Sequence, residues 1–214
     1  VSVLYPNTNN FKHYSESMGN IPGLNHPVVS SLTEDKDGNL WIGTEGGGIN
    51  FLDKANEKYQ YLTHNNRENS LLHDNVKALL LDDDNIWIGT VQGLNYLNTT
   101  DKEFNSYRHD PDDPQSLSSD QIYCLAKSGD DGIWIGTNDN GLNYLSKESN
   151  SITSHYSAGE SDISLTSNNI RVLLPESNGN LWIGTGMGLN YLDIRENCIT
   201  QYRSDKYKNE INAL

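Results

Sequence analysis

Cysteine is scarce in this sequence: only Cys124 and Cys198 occur among 214 residues, too few for the disulfide framework of a small secreted scaffold. The internal repeat described below places the first on an opening strand and the second near a closing one, so no bridge between them is expected. No apolar run reaches the length of a membrane-spanning helix. No window carries apolar residues at i, i+3, i+4 and i+7 over three turns, which argues against helical repeats. Cations are also few, 15 Lys and Arg against 29 Asp and Glu for a net charge of −14. That balance argues against non-specific binding to nucleic acid or an anionic membrane, and reads as a solvated acidic surface. No Cys/His cluster has metal-ligand spacing. No signal peptide is visible, and Val1 does not read as a natural start.

What is present is repetition. Trp41-Ile42-Gly43-Thr44 returns as Trp87-Ile88-Gly89-Thr90, Trp134-Ile135-Gly136-Thr137 and Trp182-Ile183-Gly184-Thr185, at spacings of 46, 47 and 48. These are the four tryptophans of the chain. A period in the upper forties fits one four-stranded blade of a propeller. The second copy shows the expected unit. Val76–Leu81 is a mainly apolar first strand, Asp82–Asn85 a tight turn, and Ile86–Thr90 the second strand. Leu94–Leu97 is the third and Glu103–Tyr107 a polar-apolar outer strand. The first strand should line the central axis and the last should form the outer edge. Gly43, Gly89, Gly136 and Gly184 mark places where a neighbouring blade approaches closely. Leu24, Leu71, Leu117 and Leu165 recur in the inter-blade loops and read as plugs between blades.

The expected architecture is therefore an all-β propeller of four complete blades plus two strands of a preceding one. By register, residues 1–20 supply those two strands and the blades fall at 21–66, 67–112, 113–160 and 161–214. Val1–Leu4 aligns with Leu94–Leu97, and Leu214 aligns with Leu165, just before another first strand. Both ends thus read as cut from a longer array, whose open flanks would pack against the remainder of the propeller or associate with each other.

Chemistry-bearing residues are dispersed. Asp35-Lys36-Asp37-Gly38, Asp82-Asp83-Asp84 and Asp130-Asp131-Gly132 resemble calcium loops, but they lack the twelfth-position glutamate and fill hairpin-turn slots. No nucleophile elbow, zinc or phosphate-loop signature occurs, and no carboxylate pair is forced together. No catalytic residue, metal or cofactor is predicted. Recurring residues build the blade, so function belongs where the copies differ on one face. The turns after the second strands and the inter-blade loops share such a face. Glu45, Gln92, Asn138 and Asp139, with His26 and His73 nearby, are the candidate ligand-binding residues.

The unit Asp37-Gly38-Asn39-Leu40-Trp41-Ile42-Gly43-Thr44 through Gly48-Ile49-Asn50-Phe51-Leu52-Asp53 resembles the two-component regulator propeller repeat. The copy at Asn178–Thr185 and Gly188–Asp193 matches it equally well. The second copy departs from the pattern, because its Asp83-Asp84-Asn85 turn lacks the glycine and is one residue shorter. The resemblance implies the sensor region of a hybrid histidine kinase of gut Bacteroides-type bacteria. It further implies a parent propeller of seven blades, a periplasmic location, and detection of oligosaccharides released from glycans. A protein-interaction or dimerisation scaffold without a small ligand is the alternative.

Overall fold

The computed structural model describes residues 2–5, 10–18, 22–67, 69–161, 163–203 and 210–214. It is all-β. Strands β1 (Ser2–Tyr5) and β2 (Asn10–His13) form an antiparallel pair with Leu4 opposite Phe11. Four four-stranded antiparallel sheets follow in strict chain order. The first is β3 (Val29–Glu34), β4 (Leu40–Thr44), β5 (Ile49–Asp53) and β6 (Lys58–Leu62). The second is β7 (Val76–Asp82), β8 (Asn85–Thr90), β9 (Gly93–Asn98) and β10 (Glu103–Tyr107). The third is β11 (Ile122–Ser128), β12 (Gly132–Thr137), β13 (Leu142–Ser146) and β14 (Ser151–Tyr156). The fourth is β15 (Ile170–Pro175), β16 (Leu181–Thr185), β17 (Gly188–Asp193) and β18 (Cys198–Tyr202). The opening strands β3, β7, β11 and β15 lie side by side, each touching the next. This is the arrangement of an open, partial propeller whose first strands line the axis.

The second strands are the most buried, with every residue of β4 and β12 enclosed. Their sequence explains how. Each glycine after Trp-Ile is overlain by a β-branched residue of the next blade. A Cβ added at Gly43 would stand 2.7 Å from Val76, at Gly89 2.6 Å from Ile122, and at Gly136 2.7 Å from Ile170. At Gly184 it would stand 2.7 Å from Ile211. Ile211 also donates its N–H to the Thr185 carbonyl at 3.0 Å, so it holds the place of a first-strand residue. The expected alignment of Leu214 with Leu165 is therefore corrected. Fewer residues separate the end of β18 from Ile211 than separate the other fourth strands from Val76, Ile122 and Ile170, and a fixed repeat period does not register that.

The plug leucines are buried as expected, Leu24, Leu71, Leu117 and Leu165 all being almost wholly enclosed. What holds them is a residue pattern that the periodicity did not reveal. The third strands each carry a fully buried asparagine, Asn50, Asn95, Asn143 or Asn190. Its Oδ1 accepts the backbone N–H of the residue following the plug, Asn25, Leu72, Ser118 or Thr166, at 2.9 Å in every blade. The repeated threonines close the adjoining turn: Thr44, Thr90, Thr137 and Thr185 donate their hydroxyls to the carbonyls of Gly48, Gly93, Gly141 and Gly188.

A second correction concerns Asp82, which the sequence placed in a turn. It ends β7 with its side chain buried, accepting the Trp87 indole N–H at 3.1 Å. Its Oδ1 bridges Lys127 at 3.0 Å and Lys147 at 2.6 Å, both from the next blade. Burial by itself would raise this carboxyl, but the hydrogen bonds from Lys147, Trp87 and Lys127 outweigh it and hold the pKa below its ordinary value. Cys124 of β11 pairs with Gly136 of β12, as expected for a small strand residue; it is half-buried, and desolvation pushes its thiol up to about 12. Both cysteines are free.

Two outcomes follow. Asn143→Ala leaves the Ser118 N–H without its acceptor and should cost about 1–3 kcal/mol. Hydrogen exchange should show lost protection at Ser118 with β3–β6 unchanged, because repeat units couple mainly to their neighbours. For Asp82, the depressed pKa means its stabilisation is complete above the unfolded carboxyl range and lost as pH falls below it. Asp82→Asn should therefore lower the melting temperature at neutral pH, and in thermal scans that difference should begin to shrink as pH falls past the ordinary value of 3.8 and disappear only below the lowered folded-state pKa.

Candidate functional site

Each first strand carries a register shift at the same place. Val29 pairs with Thr44 and Ser31 with Gly43, and the same break separates Val76 from Ala78, Ile122 from Cys124 and Ile170 from Val172. The residue left over is Ser30, Lys77, Tyr123 or Arg171. A bulge of this kind re-aims its side chain and is common next to functional sites. On either side the copies agree, with Val or Ile before the bulge and, two positions after it, Leu32, Leu79, Leu125 and Leu173. At the bulge itself they diverge completely, to hydroxyl, ammonium, phenol and guanidinium.

These four positions lie on neighbouring opening strands, toward the end of the propeller where the second strands turn into the third. The Ser30 hydroxyl is turned into the frame there, donating to the Gly43 and Val76 carbonyls. The Lys77 ammonium reaches back to the Glu45 carboxylate in the preceding blade's turn, 2.7 Å away. Arg171 donates from Nε to Asn169 Oδ1 at 2.6 Å and from Nη1 to Asn212 Oδ1 at 3.0 Å. It also pairs with Glu210 at 2.7 Å. Tyr123 is 38% exposed. Asn169 Nδ2 donates to the Asn138 carbonyl at 2.7 Å, so one blade's loop clasps the previous blade's turn. These linked turns and bulges make up the axial end of the blades, called the axial mouth below, where an ammonium, a guanidinium and one exposed aromatic ring stand on successive blades.

The sequence-predicted residues distribute over this mouth unevenly. Glu45 and Asn138 lie in it, the first bridged to Asn75 by a backbone pairing and the second linked to Gln121 and Asn169. His26 lies over the Gly46 turn, where an added Cβ would be 3.1 Å from Nε2, and its Nδ1 accepts the Val28 N–H at 3.3 Å. His73 accepts the Asn75 N–H on Nδ1 at 2.9 Å. Gln92 and Asp139 stand exposed at turn tips, and among the described residues neither side chain makes a hydrogen bond. The structure thus couples Glu45 to Lys77 and Asn138 to Asn169, but brings no two of the six predicted side chains into contact with one another through a hydrogen bond.

The bulge residues were missed because the first strand reads as a buried apolar run. The signal was available in the position-by-position comparison of copies, where this one position varies between conserved neighbours. Asn75 adds a further feature: its Oδ1 is buried and accepts no hydrogen bond. An acceptor of that kind beside the Glu45 turn is costly unless something donates to it. Among the described residues no group of three or more His, Cys, Asp or Glu is arranged to hold a metal ion.

Comparison with known proteins agrees with this geometry. The family described as "Two component regulator propeller" matches residues 23–46, 70–92, 116–139 and 164–187, one match per blade. A protein named "Histidine kinase P4" from Formosa agariphila is 32% identical over 132 residues, covering 60% of this chain and 9% of the relative. Among solved structures, the extracellular domain of a protein described as a hybrid two-component system of B. thetaiotaomicron superposes with a TM-score of 0.59 at 25% identity. That match covers 83% of this chain and 30% of the other. The extracellular domain of a protein described as a one-component system of the same organism reaches 0.71 at 17% identity, over 94% and 28% of the two chains, and at that identity shows the fold alone. The chain therefore spans a small part of the length of the relatives it matches. Its four blades are two-component regulator propeller repeats, and it belongs to that repeat family.

Proposed function

We propose that this chain is a non-catalytic segment of an extracytoplasmic, periplasmic sensor in a hybrid two-component signalling protein, and that its axial mouth takes a glycan-derived oligosaccharide. The observation that carries the reading is the contrast between frame and mouth. Trp, Gly, Asn, Thr and Leu repeat from blade to blade to build the scaffold, while Ser30, Lys77, Tyr123 and Arg171 differ at one structurally equivalent, re-aimed position. A rigid frame presenting dissimilar polar groups is the form of a specificity surface. The amides of Asn138 and Asn169 and the Glu45–Lys77 pair offer donors and acceptors to sugar hydroxyls, and the Tyr123 ring offers a face to the apolar side of a pyranose. Signalling would follow from different affinities for two arrangements of the sensor. The relatives named as a histidine kinase and as extracellular domains of two-component systems support the setting.

A scaffold role is favoured by a different observation. The fourth blade exposes Leu174 (45%), Tyr202 (49%) and Met187 (59%), apolar surface suited to pairing with a further blade or a second copy.

Isothermal titration of the sensor domain against a library of glycan oligosaccharides distinguishes the two. One glycan class should bind, and Lys77→Ala or Tyr123→Ala should weaken it at least about tenfold without loss of folding. Silence across the library, with a concentration-dependent dimer in sedimentation that Tyr202→Ser abolishes, would establish the scaffold instead.

A further inference from the structure

The four tryptophans are not equivalent in their hydrogen bonding. Trp41 donates its indole N–H to Asp35 Oδ2 at 3.1 Å, Trp87 to Asp82 Oδ2 at 3.1 Å, and Trp182 to Glu176 Oε1 at 2.9 Å. In the third blade Ser128 occupies the place of that carboxylate, and the Trp134 Nε1 is buried with no partner. A second partner is missing too. In the fourth blade the Tyr191 hydroxyl donates to Glu176 Oε2 at 3.0 Å and accepts from Asn180 Nδ2 at 2.8 Å. Its third-blade counterpart Tyr144 lies over Gly132, which stands where the fourth blade has Asn180, so it has neither partner. A third difference lies across the groove. Between the second and third blades Lys147 crosses to Asp82, but between the third and fourth the equivalent residue is Ile194.

These three replacements coincide with a cavity. The groove between the third and fourth blades holds about 750 Å³, against about 320 Å³ and 250 Å³ for the two preceding grooves. Trp134, Tyr144 and Tyr156 wall one side, and Glu176 and Asn178 face them from the next blade. Lys127, Ser128 and Asp131 complete the rim. An unpaired buried N–H is costly, and it is uncommon in native structures without an unseen acceptor.

We infer that this groove is a binding site for a small zwitterion of the α-amino acid type, whose carboxylate takes the place that Asp35, Asp82 and Glu176 hold in the other blades. The sibling blades define the acid end: a carboxylate accepting the indole N–H and, in the fourth blade, a tyrosine hydroxyl. Such charge-assisted bonds are the strong ones. Two acidic groups define the other end: Glu176 faces in from the next blade, and Asp131 stands on the third blade's own rim beside Lys127, whose ammonium is already paired with Asp82. A plain anion would meet Glu176 and Asp131, whereas an ammonium group is drawn to both and to the tyrosine ring faces. A neutral sugar answers the hydrogen bonds but leaves this charge separation unused, and a plain amine offers no acceptor for Trp134. The site is remote from the bulge residues and stands independently of the axial-mouth reading.

The test follows the indole N–H resonances of the whole chain by ¹⁵N–¹H spectroscopy, with Trp134 assigned by its disappearance in Trp134→Phe. The probes are the common L-amino acids, sodium acetate, methylammonium chloride and glucose. At least one amino acid should move the Trp134 signal saturably and leave the other three in place, with acetate moving it in the same direction but more weakly. Ser128→Asp, which copies the first blade, should raise the melting temperature and weaken the amino acid at least about tenfold. Ser128→Glu, which copies the fourth, provides the same check if the aspartate variant does not fold. Lys77→Ala should leave the response intact, which separates this site from the axial mouth. The inference is overturned if no amino acid moves the signal up to its solubility limit, showing that water alone fills the place. It is equally overturned if the Ser128 variants respond like the parent, or if glucose, acetate or methylammonium matches the best amino acid.

Discussion

Adjacent blades can come together only because the glycine after each Trp-Ile has no side chain. Val76, Ile122, Ile170 and Ile211 press onto Gly43, Gly89, Gly136 and Gly184 at distances that no Cβ would permit. The residue that makes this contact is the one immediately before the bulge on the same strand. Seating a blade on its neighbour therefore also fixes where Lys77, Tyr123 and Arg171 are aimed. The plug leucine and its asparagine latch act at the same junction, closing the loop above it with one hydrogen bond of 2.9 Å per blade. Frame and mouth are thus mechanically one object.

The acidic composition has more than one use in this fold. Much of it is solvated, as the net charge of −14 suggested. Asp35, Asp82 and Glu176, however, are spent on indole caps at the ends of, or just beyond, the opening strands. Asp82 goes further and ties two blades through Lys127 and Lys147. A carboxylate removed from water is favourable only when such partners surround it. The third blade, which gave up its cap, has instead an unpaired indole and an enlarged groove. One substitution pattern within a repeat thus converts a structural position into an open one.

The legible part of this protein was whatever recurs. The strands, their antiparallel order, the plug leucines and the role of the glycines all follow from a motif copied four times, because each copy must satisfy the same packing. Asp82 was misplaced because a run of three aspartates in a shortened hairpin looks like turn chemistry, and nothing local reveals that two lysines arrive from the next blade. The bulge residues were hidden by the hydrophobic strand around them.

The sequence by itself determined the blade, its four strands and the spacing at which blades repeat, since these rest on local alternation, turn residues and a period. Only the tertiary structure decided which side chains face the axial mouth, that Ile211 takes a first-strand place, and that Trp134 alone lacks its acceptor. Those facts depend on contacts between residues of neighbouring blades. A pattern along the chain specifies which groups are available, but a one-residue shift in pairing or the approach of the next blade decides what each of them meets.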